Sequence, residues 1–451
     1  MEDTICAIST SLGVGAISII RVSGNDSIDI VNKIFKGKDL KKVKSHTINY
    51  GHIVYNEELI DEVLVSIMKA PKTYTTEDIV EINCHGGIAT TEKILEILLT
   101  NGCRLAQPGE FTKRAFLNGR IDLIEAEAVS DLLNATSQKA RTTAVNTLNG
   151  RLTKIIKDLR SKILSIMANI EVNIDYPEYE DAIEITHNNL LPMLEEVKND
   201  FNKILEDANN CKFIKNGIDV ALIGKPNVGK SSLLNALINE DKAIVTSISG
   251  TTRDIIEGKM NLNGINLNII DTAGIRETTD IVEKIGVDKS KDIINKADLN
   301  ILVLNNNEKL ENEDIEIFEK IKNTKHIVYV NKTDLNKKID IEKLNCSNVV
   351  YGNTVDNGGL TELKNKIIEL FNLGSLESKD LTYLSNARQI AIFKNADDAL
   401  NNAILNTKNM TPIEMIDVDI KQIWDLLGEL IGQTYHDELL DELFSKFCLG
   451  K

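Results

Sequence analysis

The run Gly224-Lys-Pro-Asn-Val-Gly-Lys230-Ser231 joins residue types that suit polyphosphate binding at a spacing that lets them act together. Gly224 and Gly229 allow backbone amides to turn inward, Lys230 brings a cation to the β- and γ-phosphates, and Ser231 offers a hydroxyl to Mg2+. Asp271-Thr272-Ala273-Gly274 places a carboxylate at the metal's outer shell and an amide near a γ-phosphate. Asn331-Lys332-Thr-Asp334 ends in an acid that can accept both the N1 and 2-amino hydrogens of guanine, whereas adenine would leave it unpaired. The implied ligand is GTP rather than ATP, and within Gly250-Thr251-Thr252-Arg-Asp254 we take Thr252 as a second Mg2+ ligand.

Other residues are less decisive by type alone. Ile275 follows Asp-Thr-Ala-Gly where Ras-like enzymes carry a water-orienting glutamine, so hydrolysis needs another acid or base and another positive charge. Glu283 lies at the right remove to be that base, although a lone acid on a polar stretch also reads as solvated surface. Cys448, near the end of Phe444-Ser-Lys-Phe-Cys-Leu-Gly-Lys451, reads by type as a small buried hydrophobe, and its neighbours do not form a prenylation signal. His85, beside Gly86 and Gly87, reads as a turn or pocket residue. The lysines at 33, 36, 38, 41, 42 and 44 read as a solvated loop. Lys139, Arg141, Arg151, Lys154, Lys157, Arg160 and Lys162, with Asp158 the one acid among them, form the best candidate face for nucleic-acid phosphates.

The elements that must position these groups are legible in the hydrophobic pattern. Residues 4–119 interleave strand text (14–21, 62–68) with helical text near 26–36 and 89–100, the pattern of an α+β domain. From 121 to 208 the period is helical; Leu152, Ile155, Ile156, Leu159, Ile163, Ile166, Met167 and Ile170 mark one buried face, and Pro177 its end or the next connection. Strands at 219–223, 265–270, 299–304, 326–330 and 348–351 alternate with helical segments, as in a doubly wound parallel sheet. After 381 the chain is helical again.

At 451 residues the chain suggests about three domains. The expected division is 1–119, a helical domain of 120–212 plus 381–451, and an α/β domain of 213–380 inserted between its halves. The net charge of −16 excludes a generally basic nucleic-acid coat and leaves room only for a local basic face. Six cysteines without a Cys-x-x-Cys pair indicate neither a zinc ribbon nor a disulfide framework, and the acidic amino terminus without a long apolar run suggests a soluble, cytoplasmic protein with no membrane segment.

The P-loop, Gly-Thr-Thr-Arg-Asp, Asp-Thr-Ala-Gly and Asn-Lys-Thr-Asp within a helical host, closed by Phe-Cys-Leu-Gly-Lys, resemble the MnmE (TrmE) family of tRNA-modifying GTPases. The likeness spans the whole chain, including Arg21-Val-Ser-Gly24, His85-Gly-Gly87, Pro108-Gly-Glu-Phe111 and Arg114-Ala-Phe-Leu-Asn118. It implies a multidomain α/β protein: an amino-terminal tetrahydrofolate-binding domain that forms a homodimer, a helical domain, and an inserted Ras-like P-loop G domain. It also implies an FAD-dependent MnmG partner in a heterotetramer, and modification of C5 of the wobble uridine of certain tRNAs. It further implies that the one-carbon unit comes from 5,10-methylenetetrahydrofolate, for which a 5-formyl analogue can stand.

By position, the resemblance assigns GTP or GDP binding to Asn227, Val228, Gly229, Lys230, Ser231 and Ser232; to Thr246, Ser247, Ile248, Ser249, Gly250, Thr251 and Thr252; and to Asp271, Thr272, Ala273, Gly274, Asn331, Lys332 and Asp334. It makes Asn227, Thr246, Ile248 and Thr251 ligands of K+, which would supply the missing charge, and makes Glu283 catalytic. Arg21, Glu81, Arg120 and Lys451 match folate-holding positions, Arg21 suited to the folate carboxylates or an acid neighbour and Glu81 to pterin donors; Cys448 matches a cysteine needed for modification. Two departures stand out. No Ser-Ala-Lys-like tripeptide occurs near Val350-Tyr-Gly-Asn-Thr-Val-Asp356, so base contacts there fall to backbone or weaken. Arg120 stands where lysine is common, which changes donor geometry but not charge.

Two rivals come from other classes. A ribosome-assembly GTPase would share the nucleotide motifs but gives no reason for the terminal Cys-Leu-Gly-Lys, and a dynamin-like scaffold would need a lipid-inserting element that the sequence lacks.

Overall fold

The computed structural model describes residues 3–175, 187–240, 258–271, 293–355, 358–371, 373, 383–435 and 437–450. The chain divides into two compact units, one of residues 1–130, 148–195 and 392–451, the other of 131–147 and 196–391. The doubly wound sheet and the amino-terminal α+β fold expected from the pattern are both present.

In the first unit, β1 (Ile5–Ile8), β2 (Ile17–Ser23), β3 (Phe35–Gly37), β4 (Thr47–Tyr55), β5 (Glu58–Met68), β6 (Ile79–His85) and β7 (Arg104–Leu105) form one sheet in the order β3-β4-β5-β6-β2-β1-β7. Its neighbours are antiparallel except for the parallel β1–β7 pair. Period-two alternation sends Val63, Val65 and Ile67 of β5 into a core shared with Ile28 and Val31 of the helix Ser27–Ile34 and Ile94, Ile97 and Leu98 of the helix Ile88–Thr100. The intervening β5 residue Leu64 stays exposed on the other face, as do Ile48 and Tyr50 of β4.

The long helix of this unit, Arg151–Asp175, packs against the helix Ile413–Leu430. Leu152, Ile156, Leu159, Ile163, Ile166, Met167 and Ile170 are buried as the spacing predicts, whereas Ile155 stays 37% exposed. Ile155 sits about 100° round from Ile156, at the edge of the buried face, whereas Ile156, at i+4 from Leu152, lies at its centre.

In the second unit, β8 (Ile218–Ile223), β9 (Gly258–Leu262), β10 (Ile265–Asp271), β11 (Leu299–Asn305), β12 (His326–Asn331) and β13 (Val349–Tyr351) run in the order β13-β12-β11-β8-β10-β9. All pairs are parallel except β9–β10. β11 is buried along its whole length, as a central strand covered on both faces must be. The carboxyl ends of β8, β11 and β12 therefore meet on one edge, where open α/β sheets place ligands.

Candidate functional site

β8 ends at Ile223, and the helix Lys230–Glu240 begins six residues after Gly224, so Gly224–Gly229 is a true strand-to-helix loop. Asn227 and Gly229 take positive φ, 62° and 101°, the kind of turn in which successive loop amides can converge on one anion. A side chain at Gly229 would not fit, since its Cβ would lie 2.1 Å from Asn331 Nδ2. Lys230 is 6% exposed, and its Nζ donates to the carbonyls of Gly224 and Lys225, both at 2.8 Å. A glycine-containing loop leading into a helix amino terminus, with a held ammonium, is suited to a di- or triphosphate.

The end of β12 closes the same loop. Asn331 Nδ2 donates to the Val228 carbonyl (3.0 Å), and Lys332 Nζ to that of Asn227 (2.9 Å). Asn331 Oδ1 is buried without a partner among the described residues, so this junction keeps one polar atom in reserve. Asp334 is exposed, free to meet a base edge from solvent. The Thr333 amide donates to the Gly352 carbonyl (3.2 Å), which brings the loop after β13 beside the Asn331–Asp334 turn. There Asn353 is 8% exposed, and its Oδ1 accepts from the Val355 amide at 3.0 Å. This turn stands where a Ser-Ala-Lys-like tripeptide was expected, and its asparagine carries no contiguous motif that marks the turn in sequence.

Val228 is buried, and Ser231 and Ser232 are exposed at the start of the helix. The backbone of Asp271 pairs with Leu222 at the end of β10. Thr246, Ser247, Ile248, Ser249, Gly250, Thr251, Thr252, Thr272, Ala273, Gly274, Glu283 and Lys451 lie outside the described residues, as does the side chain of Asp271.

A second constellation forms within the first unit. Arg21 on β2 stands opposite Glu81 on β6, and its Nε and Nη2 both lie 2.9 Å from Glu81 Oε1. Of the two roles open to Arg21 in the sequence, it takes the acid neighbour. Its guanidinium also lies 5.8 Å from the Tyr74 ring centroid and 5.6 Å from that of Phe111, and its Nη1 reaches the Gly450 carbonyl at 3.5 Å. Arg120 stacks on the same Tyr74 ring at 4.7 Å and donates to the Tyr74 carbonyl at 3.0 Å.

The carboxyl-terminal segment docks here. The Gly109 amide donates to the Cys448 carbonyl (3.3 Å), and Ser9 Oγ to that of Gly450 (3.1 Å). Gly450 has φ 87°, and a Cβ on it would lie 2.3 Å from the Ile8 carbonyl oxygen. Phe444 and Phe447 are buried, whereas Cys448 is exposed, contrary to the small-hydrophobe reading of its type. The phenylalanines anchor the segment and leave the thiol outside.

Arg114, quoted in sequence only as part of a motif, proves to be the buried electrostatic hub of this unit. At 1% exposure it binds Asp3 (2.8 Å), Glu77 (3.0 Å) and Glu110 (3.1 Å), and Arg104 adds contacts of 2.6 Å to Asp3 and 2.5 Å to Glu110. The hydrogen bond to Arg104 leads in pulling the Asp3 carboxyl below its usual range. Burial alone would push Glu110 up, but Arg104, the Gln107 amide and Arg114 together hold it low.

One other sequence reading changes. Arg160 leaves the phosphate-binding candidates: it is 8% exposed, its guanidinium lies 3.9 Å from the Trp424 ring centroid, and it hydrogen-bonds the Trp424 carbonyl and the Gln433 side chain. Arg151, Lys154, Lys157 and Lys162 on the same helix remain exposed. His85 is exposed and held by Asp61, with Nδ1 2.7 Å from Oδ1, and that hydrogen bond raises its pKa. Among the described residues, no three His, Cys, Asp or Glu side chains gather to hold a metal, and no helix is long and apolar enough to cross a membrane.

Two family models match the chain, "GTP-binding protein TrmE N-terminus" over residues 4–120 and "MnmE helical domain" over 123–448. The chain is 53% identical to the tRNA modification GTPase MnmE of Bacillus cytotoxicus and 52% identical to that of Bacillus mycoides, each over 455 residues covering 100% of this chain and 99% of the relative. Among solved structures, the G domain of the T. maritima FeoB iron transporter is 35% identical, with a TM-score of 0.27, covering 34% of this chain and 98% of its own.

Proposed function

The chain belongs to the MnmE family of tRNA modification GTPases, and from that premise we propose that it hydrolyses GTP while helping to modify C5 of the wobble uridine of certain tRNAs. The observation that carries the nucleotide half is the junction of Gly229, Asn331 and Lys332, which holds the phosphate loop against the base-reading turn. Lys230 grips the phosphates, the loop amides donate hydrogen bonds to their oxygens, and Asp334 selects guanine. Ser231 and Thr252 would hold Mg2+, while Asn227, Thr246, Ile248 and Thr251 would hold K+; these ions supply positive charge to the developing phosphate oxygens. In the same reading Glu283 orients or deprotonates the attacking water.

For the modification half, the tail-docked constellation fits a tetrahydrofolate derivative in its donor set. Arg21 and Arg120 present cationic faces around Tyr74, and Glu81 Oε2 makes no hydrogen bond to a described residue, leaving an acceptor for pterin N–H groups. When bound, the folate supplies the one-carbon unit. Lys451 would complete its site, and the exposed Cys448 belongs to the same docked terminal segment. The same reading divides the chain into 1–119, 120–212 with 381–451, and 213–380, and has it act as a homodimer with an FAD-dependent MnmG-type partner.

Mass spectrometry of tRNA nucleosides from cells lacking this chain tests the central claim. Loss of the C5-aminomethyl-type wobble uridine is expected, and restoration by the wild-type chain but not by Cys448→Ser, which keeps GTP hydrolysis. Unchanged nucleosides would sink the modification reading and favour a ribosome-assembly GTPase. For the K+ and Glu283 roles, turnover should fall in Na+ and in Glu283→Ala with GTP affinity retained; equal turnover would remove them.

A further inference from the structure

The phosphate loop is fastened at a second place. Lys225, the residue after Gly224, has a side chain only 11% exposed, and its Nζ lies 2.9 Å from Asp314 Oδ2 and 2.7 Å from Glu311 Oε2. Asp314 is itself immobilised. Its side chain is 4% exposed, and Oδ2 also accepts the Glu311 amide at 3.0 Å, in a capping box that opens the helix Asn312–Ile321. The Lys225 carbonyl, meanwhile, is one of the two loop acceptors that hold Lys230 Nζ. The ammonium of Lys225 thus pins the peptide that aims the ammonium of Lys230. Asn331 and Lys332 fix the loop at Val228 and Asn227, and the helix cap after β11 fixes it at its start.

We propose that Lys225, held by Asp314 and Glu311, is a positioning residue for nucleotide binding: it sets the first turn of the loop so that Lys230 is aimed before the phosphates arrive. This rests on the GTPase reading above. Since Lys230 meets the β-phosphate, which GDP and GTP share, loosening the strap weakens both nucleotides, GTP at least as much through its γ-phosphate; because Lys230 itself is kept, the loss falls on binding more than on the chemical step. A buried pair acting only on stability would lower melting temperature without touching affinity.

The test uses the full chain, titrated with mant-GDP and mant-GMPPNP in Mg2+, alongside GTP turnover and thermal melting. Lys225→Met keeps the stem and removes the charge; it should raise both Kd values and the KM for GTP by about tenfold, with kcat within about twofold of wild type. Lys225→Arg should restore most of the affinity, because a guanidinium can still reach both carboxylates. Asp314→Asn should weaken binding comparably, and combining it with Lys225→Met should add little, as expected of residues acting as one unit. If Lys225→Met does not fold, Glu311→Gln, at the exposed end of the strap, should still weaken both nucleotides by about two- to threefold. Unchanged Kd values in the folded variants, or a fall in kcat with KM constant, overturn the proposal. Failure of the wild-type chain to bind either nucleotide overturns the GTPase reading instead.

Discussion

The phosphate loop and the Arg21 constellation both aim a cation at backbone carbonyls, but they are assembled over very different lengths of chain. Lys230 finds its acceptors five and six residues away. Arg21 finds Glu81 60 residues away and Gly450 429 residues away. The bonds that aim Lys230 are therefore a property of one turn, fastened from outside by Asn331, Lys332 and the helix cap at 311–314 within the second unit, whereas the Arg21 site exists only after the β2–β6 register and the docking of the terminal segment are in place. Damage to packing in the first unit should erase the Arg21 site and spare the loop.

Arg114→Leu is the strongest way to try to break that contrast. It leaves Asp3, Glu77 and Glu110 without their buried partner, at a cost of about 3–5 kcal/mol. Urea unfolding should show the first unit destabilised while mant-GDP affinity stays at the wild-type value; a parallel loss of nucleotide binding would mean that the two sites are not separately assembled.

Gly450→Ala is a milder probe of the same idea, at about 1–3 kcal/mol for a strained backbone. With φ at 87° and its Cβ directed onto the Ile8 carbonyl, the terminal segment should lift. Faster amide exchange at 444–450 and weaker binding of 5-formyltetrahydrofolate should follow, again without change at the loop.

Acid should reach the first unit by the same route. Asp3 and Glu110 titrate below their ordinary values when folded, so the stability they contribute is complete above about pH 4.5 and is lost as the pH falls through the depressed folded values. Unfolding midpoints measured between pH 6 and 3 should therefore drop, and Glu110→Gln should flatten the drop. At the small end, Lys446→Ala removes an ion pair with Glu442 whose members are each 72% exposed, and should change stability by less than about 0.5 kcal/mol. A larger effect would show that this pair helps to hold the docked terminus.

How much could be read from the chain follows the same division. The strands expected at 219–223, 265–270, 299–304, 326–330 and 348–351 all occur, with ends shifted by a residue or so, because short apolar runs bounded by turn residues leave a buried parallel strand little freedom. Lys230 and Asn331 were legible because their motifs are contiguous. Lys225 and Asp314 were not, since a lysine in a loop and an aspartate near a helix start look like solvent-exposed residues until β11 carries the second to the first. Arg160 misled for the converse reason: it lies within a basic run, and only the packing of the partner helix and the residues after it reveals that Trp424 and Gln433 hold it.

By itself, the sequence determined the fold class, the nucleotide motifs and the family, all of which rest on local spacing and on hydrophobic period. Tertiary structure decided which charges are spent inside the molecule. Arg21 meets Glu81, Arg114 gathers three carboxylates, Arg160 lies on an indole and Lys225 straps the phosphate loop. The physical reason is that a charged side chain carries no local mark of its burial. Its partner is chosen by strand register and helix packing, which bring together residues that the chain keeps far apart.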